Sequence, residues 1–241
     1  MGREFSSSEE MVVGATPDQV WAAIATGPGI DSWFMGRNGV DPGQTVRQAF
    51  GGYAMEHAVT AWEPGSRLAY GSEPAPDGRF VAFEFLVEGR DQGSTVLRVV
   101  SSGFLPGDDW ADEFEAMTKG SALFIRTLAE YLDHFPDRVA TPVTAFGPMV
   151  TDWHDTRARL LDAIGRDLER VRFAPEGLPP VDGVVYFENE DTIGIRCHDA
   201  IYRFLRGFHG PVMASHHIFS DISREATEQA WQDWLNKKDL T

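Results

Sequence analysis

The sequence predicts an α+β chain in two parts: a curved antiparallel sheet around one long C-terminal helix, then a second, smaller α+β unit. Three observations carry this. Residues 16–34, TPDQVWAAIATGPGIDSWF, read as two short helices in succession. Val81, Phe83, Phe85 and Val87 fall on one face of a strand, with Glu84 and Glu88 on the other. Residues 110–135 then repeat apolar side chains at the three- and four-residue spacings of a helix.

Residues 4–13 end in Met11-Val12-Val13 and read as an edge strand leading into the helix pair. Thr16 can accept a hydrogen bond from a free N–H of the first turn, Pro17 suits the first helical position, and Gln19 can reach back. Val20, Trp21 and Ile24 form an apolar stripe before Gly27-Pro28-Gly29 stops the helix, and Ile30, Trp33 and Phe34 form the next, shorter one. After a segment punctuated by glycine and proline at 36–43, strands are expected at 45–50, 55–63 and 67–71, with Gly51-Gly52 and Pro64-Gly65 as turns. The strand bearing Phe83 and Phe85 turns at Asp91-Gln92-Gly93 and returns over 95–102, with Leu97 and Val99 on one face. That makes a meander of about six strands.

The stripe of the long helix comprises Trp110, Phe114, Met117, Ser121, Phe124, Leu128, Leu132 and Phe135, and its wet face Asp112, Glu115, Lys119, Arg126 and Glu130. A stripe this long needs an apolar partner, and the strand face with Phe83, Phe85, Leu97 and Val99 supplies it.

This order, with a helix pair opened by ATPDQVWAAI and closed by IDSWF and a final helix begun by tryptophan, resembles the SRPBCC or START-like superfamily. Within it the chain is most similar to bacterial homologues of the activator of the heat-shock-protein-90 ATPase. The resemblance covers about residues 4–135 and implies a helix-grip fold. Its motifs are structural and say little about chemistry.

Beyond it, Pro142 and Pro148 mark a linker or extended crossing segment, and a boundary is placed between 1–136 and 137–241. A helix is expected over 153–171, with Trp153, Thr156, Leu160, Ile164, Leu168 and Val171 on one face. Strands follow at 183–188, 191–197, 200–206 and 212–219. Ser223 caps a last helix that turns Ala226, Ala230, Trp231, Trp234 and Leu235 inward. Helix, strands, helix is the first unit's order in shortened form, which suggests a truncated helix-grip-like repeat.

The 241 residues carry 37 acidic and 21 basic side chains, a formal charge of −16. Nucleic acid and anionic membrane surfaces, which need clustered Lys and Arg, are therefore excluded as partners. Cys197 is the sole cysteine and can form no intrachain disulfide. With no apolar leader or membrane-spanning run, a reducing, cytoplasmic setting is expected. MGREFS at 1–6 matches the short N-myristoylation pattern, but an ordinary chain start explains it as well.

Cys197, His198, His209, His216 and His217 invite a metal reading, but neighbours in a strand point to opposite faces, so no metal site is expected. The sequence holds no G-x-S-x-G elbow, dinucleotide fingerprint or P-loop, and no cofactor is expected. His57 shares a strand face with Met55, Val59 and Ala61, and Trp62 belongs to the opposite face. If the His57 face looks inward, His57 can orient a ligand or move a proton, with Glu84 or Asp31 as a carboxylate; Asp31 also suits a cap of the second helix.

A curved sheet closed by a helix leaves a space whose expected lining is Trp21, Trp33, Phe34, His57, Phe83, Phe85, Leu97, Phe114 and Met117. These side chains can instead fill it as core. The expected function is noncatalytic binding of a hydrophobic small molecule. One alternative, drawn from the resemblance, is a cyclase- or dehydratase-type enzyme using His57 with Glu84. Another is a chaperone-activator-like interaction module with a protein partner or as a homodimer.

Overall fold

The computed structural model of the chain describes residues 2–50, 52–90, 93–107, 110–165, 169–207 and 210–237. The predicted positions Leu168 and His209, and the side chains of Trp110 and Met117, lie outside the described residues. Two compact units, Met1–Val139 and Ala140–Thr241, divide the chain.

The first unit begins with β1 (Arg3–Val13), α1 (Pro17–Ala25) and α2 (Gly27–Asp31). Thr16 and Gln19 form a reciprocal capping box: Thr16 Oγ1 accepts from the Gln19 N–H at 3.3 Å, and Gln19 Oε1 from the Thr16 N–H at 2.9 Å. Thr26 ends α1 and caps α2, donating to the Ala22 carbonyl (2.7 Å) and accepting from the Gly29 N–H (3.0 Å). The two helices press together so closely that a Cβ on Gly29 would stand 2.0 Å from the Ala22 carbonyl oxygen.

Six strands follow: β2 (Arg37–Asp41), β3 (Thr45–Phe50), β4 (Tyr53–Glu63), β5 (Arg67–Gly71), β6 (Phe80–Gly89) and β7 (Thr95–Leu105). With β1 they form a seven-stranded antiparallel sheet in the order β1-β7-β6-β5-β4-β3-β2, so the unit's first strand pairs with its last. The extra strand is β2. It lies at an edge, bonded only to β3, and its partly exposed residues show no alternation. Glycines with positive φ, Gly36 and Gly43, flank it and make the stretch read as a loop.

Register fixes the inner face. Val46 pairs with His57, Tyr70 with Phe83, Leu68 with Phe85, and Phe85 in turn with Val99. A β-bulge between Val59 and Ala61 places Trp62 opposite Leu68, correcting the alternation that put Trp62 on the face opposite His57. Arg47, Glu56, Glu88 and Arg98 alternate outward and are exposed.

Helix α3 (Trp110–His134) lies over this inner face, where Phe124 meets Phe34 at 4.5 Å between ring centroids. Leu123, Leu128, Leu132 and Phe135 are buried. Glu130 is buried too, not wet as expected. Its carboxylate stands 3.0 Å from Arg126 Nη2 and 3.5 Å from His134 Nε2, one helical turn to either side. Among the described residues no helix is long and apolar enough to cross a membrane.

The second unit comprises β8 (Thr141–Met149), α4 (Trp153–Ile164), β9 (Val171–Phe173), β10 (Val181–Glu188), β11 (Thr192–Cys197), β12 (Ala200–Arg206), β13 (Pro211–Ile218) and α5 (Arg224–Lys237). Its sheet order, β8-β13-β12-β11-β10-β9, again pairs the first strand with the last and leaves the rest as a meander. The arrangement is the first unit's with one strand and one helix fewer, a shortened repeat.

Three expectations change here. The stretch read as a linker or extended crossing segment is no linker but the extended strand β8, whose free backbone edge is met by α5: the Thr144 and Phe146 N–H groups donate to Glu228 Oε1 and Gln232 Oε1, both at 3.1 Å. Helix α4 ends at Gly165, with φ of 100°, so Val171 opens a strand instead of closing a helix. Ala226 is exposed, while Trp231, Trp234 and Leu235 are buried as expected.

Candidate functional site

Between the inner face of the first sheet and α3 lies a cavity of about 240 Å³. Its buried end is formed by Trp33, Gln48, Tyr70, Phe85, Val99, Ser101 and Leu128. Half-buried Phe34, Phe83, Gly120, Ser121, Phe124 and Ile125 mark its open side. The sheet supplies the aromatic floor because β5 and β6 place Tyr70, Phe83 and Phe85 on one face; the Tyr70 ring stacks on Phe85 at 6.1 Å and lies 5.8 Å from Phe83. The helix pair supplies Trp33 and Phe34, and α3 supplies the roof.

No Lys, Arg, Asp or Glu is among the described lining residues. Among the described lining side chains polarity is confined to the Gln48 amide, the hydroxyls of Tyr70, Ser101 and Ser121, and the Trp33 indole N–H, which is bonded to the Ala23 carbonyl. Such a space favours uncharged guests, because an ion entering it would lose water without gaining a counter-charge. Burial also raises the Tyr70 phenol well above its ordinary value, so it remains protonated.

His57 lies on the same sheet face, 5% exposed, with its ring 5.7 Å from Tyr70 and 6.5 Å from Phe83. Among the described residues neither ring nitrogen has a hydrogen-bond partner. Burial lowers the imidazole's pKa, which keeps it neutral. A buried polar group left unpaired costs stability, so this histidine is one the fold alone does not account for.

The predicted lining divides. Trp33, Phe34, Phe83 and Phe85 line the cavity. Trp21 instead packs edge-on against Trp62 at 5.2 Å, Phe114 packs on Phe5 at 5.3 Å, and Leu97 is fully buried without lining the cavity. Met117 lies outside the described side chains. Glu84 is on the outer face, where its carboxylate accepts from Arg67 Nε at 2.7 Å, and is not brought near His57. Asp31 accepts from the backbone and side chain of Asn38, at 2.7 and 2.9 Å. Sequence reasoning missed Gln48, Tyr70, Ser101, Gly120 and Ile125; alternation offers a signal for Gln48, Tyr70 and Ser101, which lie two residues from buried Val46, Leu68 and Val99 on strands expected from the sequence.

In the second unit α5 packs large side chains of its own against rings of the sheet. Trp231 stands 4.4 Å from His216, 5.4 Å from Trp234 and 5.7 Å from both Tyr202 and Phe204. His216 Nδ1 accepts from the Arg203 N–H at 3.1 Å, and its burial, reinforced by the Arg203 charge, holds the imidazole well below its ordinary pKa. Among the described residues no three His, Cys, Asp or Glu side chains are grouped to hold a metal ion. Burial pushes the Cys197 thiol up to about 12, which leaves it a poor nucleophile.

No protein-family model and no curated protein matches the chain. Solved structures similar in fold include a protein of Mesorhizobium loti, 24% identical over 54% of this chain and 98% of its own, with a TM-score of 0.47. The Aha1 dimer from Colwellia psychrerythraea is 19% identical over 54% of this chain and 96% of its own, at 0.45. The di-domain ARO/CYC BexL from the BE-7585A biosynthetic pathway is 11% identical over 96% of this chain and 98% of its own, at 0.48. The likeness is one of fold, not of chemistry.

Proposed function

We propose that the first unit binds a neutral, hydrophobic small molecule between its sheet and α3, without transforming it. The observation that carries this is the cavity of about 240 Å³ with aromatic walls and no charged group among its described lining residues. Sites for drug-sized ligands span about 300–1,000 Å³, so the guest is smaller, on the scale of a naphthalene ring system or a short alkyl chain. His57, expected to line the cavity, is not among its described lining residues; its ring stands 5.7 Å from that of lining Tyr70 and both its nitrogens lack a partner among the described residues, so a guest that reaches past Tyr70 finds a polar partner there.

The cyclase- or dehydratase-type reading pairs His57 with a carboxylate positioned on the substrate. Glu84 is turned outward and bonded to Arg67, and no carboxylate is among the described lining residues. The geometry therefore favours binding over the cyclase- or dehydratase-type reading.

Equilibrium titration with 1-naphthol and with 1-naphthoate, followed by guest fluorescence, tests the proposal. Saturable uptake of the neutral guest, one per chain, with the carboxylate at least tenfold weaker, is expected. Equal affinity for both, or no saturable uptake of 1-naphthol, contradicts it.

A further inference from the structure

We propose that Gly120 is the size selector of the cavity, an inference that rests on the binding reading above. Gly120 lies in the interior of α3, ten residues past Trp110 and fourteen before His134. Glycine there is unfavourable: it loses more backbone freedom on folding than alanine and weakens the helix. Close packing is the usual reason to tolerate it, but among the described residues a Cβ at Gly120 would meet no atom within 4 Å outside the helix's own backbone. The position borders open space, and that space is the cavity, which Gly120 lines.

Its neighbours show what the missing side chain leaves open. Phe124 lies one helical turn further on and therefore on the same face. It closes against Phe34 of the helix pair at 4.5 Å between ring centroids. At that turn the roof and the wall meet. One turn earlier stands Gly120, which has no side chain of its own, and Ser121 beside it is small and half-buried. The roof is thus shut at Phe124 and open at Gly120, and the size of the residue at 120 decides how bulky a neutral guest can pass or protrude there. The helix gives up stability at the place where a guest needs room.

Two substitutions test this with two guests of different size, 1-naphthol and the larger neutral fluorophore N-phenyl-1-naphthylamine. Gly120→Ala is expected to raise the folding equilibrium constant roughly two- to fivefold, because alanine is the better helix former and its methyl group has room. Gly120→Leu is expected to remain folded and to bind the larger guest at least tenfold more weakly than wild type, with 1-naphthol changed less than threefold. Gly120→Ala should fall between. If wild type takes up both guests and Gly120→Leu, folded by circular dichroism, takes up N-phenyl-1-naphthylamine as wild type does, the selector role is overturned and the binding reading stands. If Gly120→Ala destabilises the protein, the open space beside the helix is absent and the selector role is likewise overturned. Uptake of neither guest by wild type overturns both.

Discussion

The indole N–H of Trp33 donates to the carbonyl of Ala23 at 3.0 Å, fastening the chain just past the Ser32 cap of α2 to the last turn of α1. Helix ends leave carbonyls without intrahelical donors, and here a side chain ten residues on supplies one. The same bond fixes the orientation of Trp33, which is 5% exposed, lines the cavity and stands edge-on to Phe85 at 6.4 Å. Trp33→Phe keeps an aromatic ring but deletes the donor. It is expected to cost about 1–3 kcal/mol in urea denaturation, the penalty of an unpaired buried carbonyl plus a small void. An unchanged midpoint would show that this bond does not hold the helix pair.

The capping box that starts α1 makes a smaller, separable contribution. Thr16→Ala removes the acceptor for the Gln19 N–H and should cost about 1 kcal/mol, while Thr16→Ser, which keeps the oxygen, should cost much less. Thermal unfolding of the pair distinguishes a cap from a merely buried methyl group, for which both substitutions would cost alike.

His57 is expected to separate stability from recognition. His57→Leu removes two buried nitrogens that lack partners, so stability should hold or rise by about 1 kcal/mol. The same variant should lose any preference for 1-naphthol over naphthalene, because the group that pairs with the hydroxyl is gone. A loss of more than about 2 kcal/mol would instead identify a structural hydrogen bond to the imidazole.

The lowered pKa values of His57 and His216 set the sign of the pH dependence. Each is neutral when folded, and the unfolded imidazole takes up a proton near its ordinary value of about 6.5. Their contribution is therefore complete above that pH and lost progressively as pH falls below it, toward the lower folded values, with a limiting slope of about 1.4 kcal/mol per pH unit for each. His57→Leu should flatten the fall in unfolding free energy between pH 6.5 and 5. A slope identical to wild type would mean that His57 is already solvated or paired.

In the second unit, Trp231→Ala removes the ring that touches His216, Tyr202, Phe204 and Trp234. A loss of about 3–5 kcal/mol is expected from denaturant unfolding, as for other fully buried large-to-small changes. A loss below about 1 kcal/mol would mean that this space was never tightly filled.

What could be read from the chain was local. The Thr16–Gln19 box, the alternation of Phe83 and Phe85 and the turn glycines each announce their element through nearest neighbours in sequence. What escaped depended on distant partners. Strand β2 exists because β3 pairs with it, and Trp62 changes face through a bulge that alternation cannot anticipate. Glu130 stays buried by bonding one turn each way along its own helix. The aromatic wall was legible in Trp33, Phe34, Phe83 and Phe85, yet whether those rings fill the space or border it depends on sheet curvature and on the size of residues opposite. Small Gly120 and Ser121 line it in one unit, and in the other large Trp231 and Trp234 pack on each other in the interior.

The central claim is that a neutral guest enters the first unit and that the second is already filled by its own tryptophans. Isotope-filtered nuclear Overhauser contacts from bound 1-naphthol to methyl groups test it most directly. Contacts to Val99, Ile125 and Leu128, lost in Gly120→Trp, are the predicted result. Contacts only to Ile195, Val212 or Leu235 of the second unit, or none at saturating guest, would contradict it.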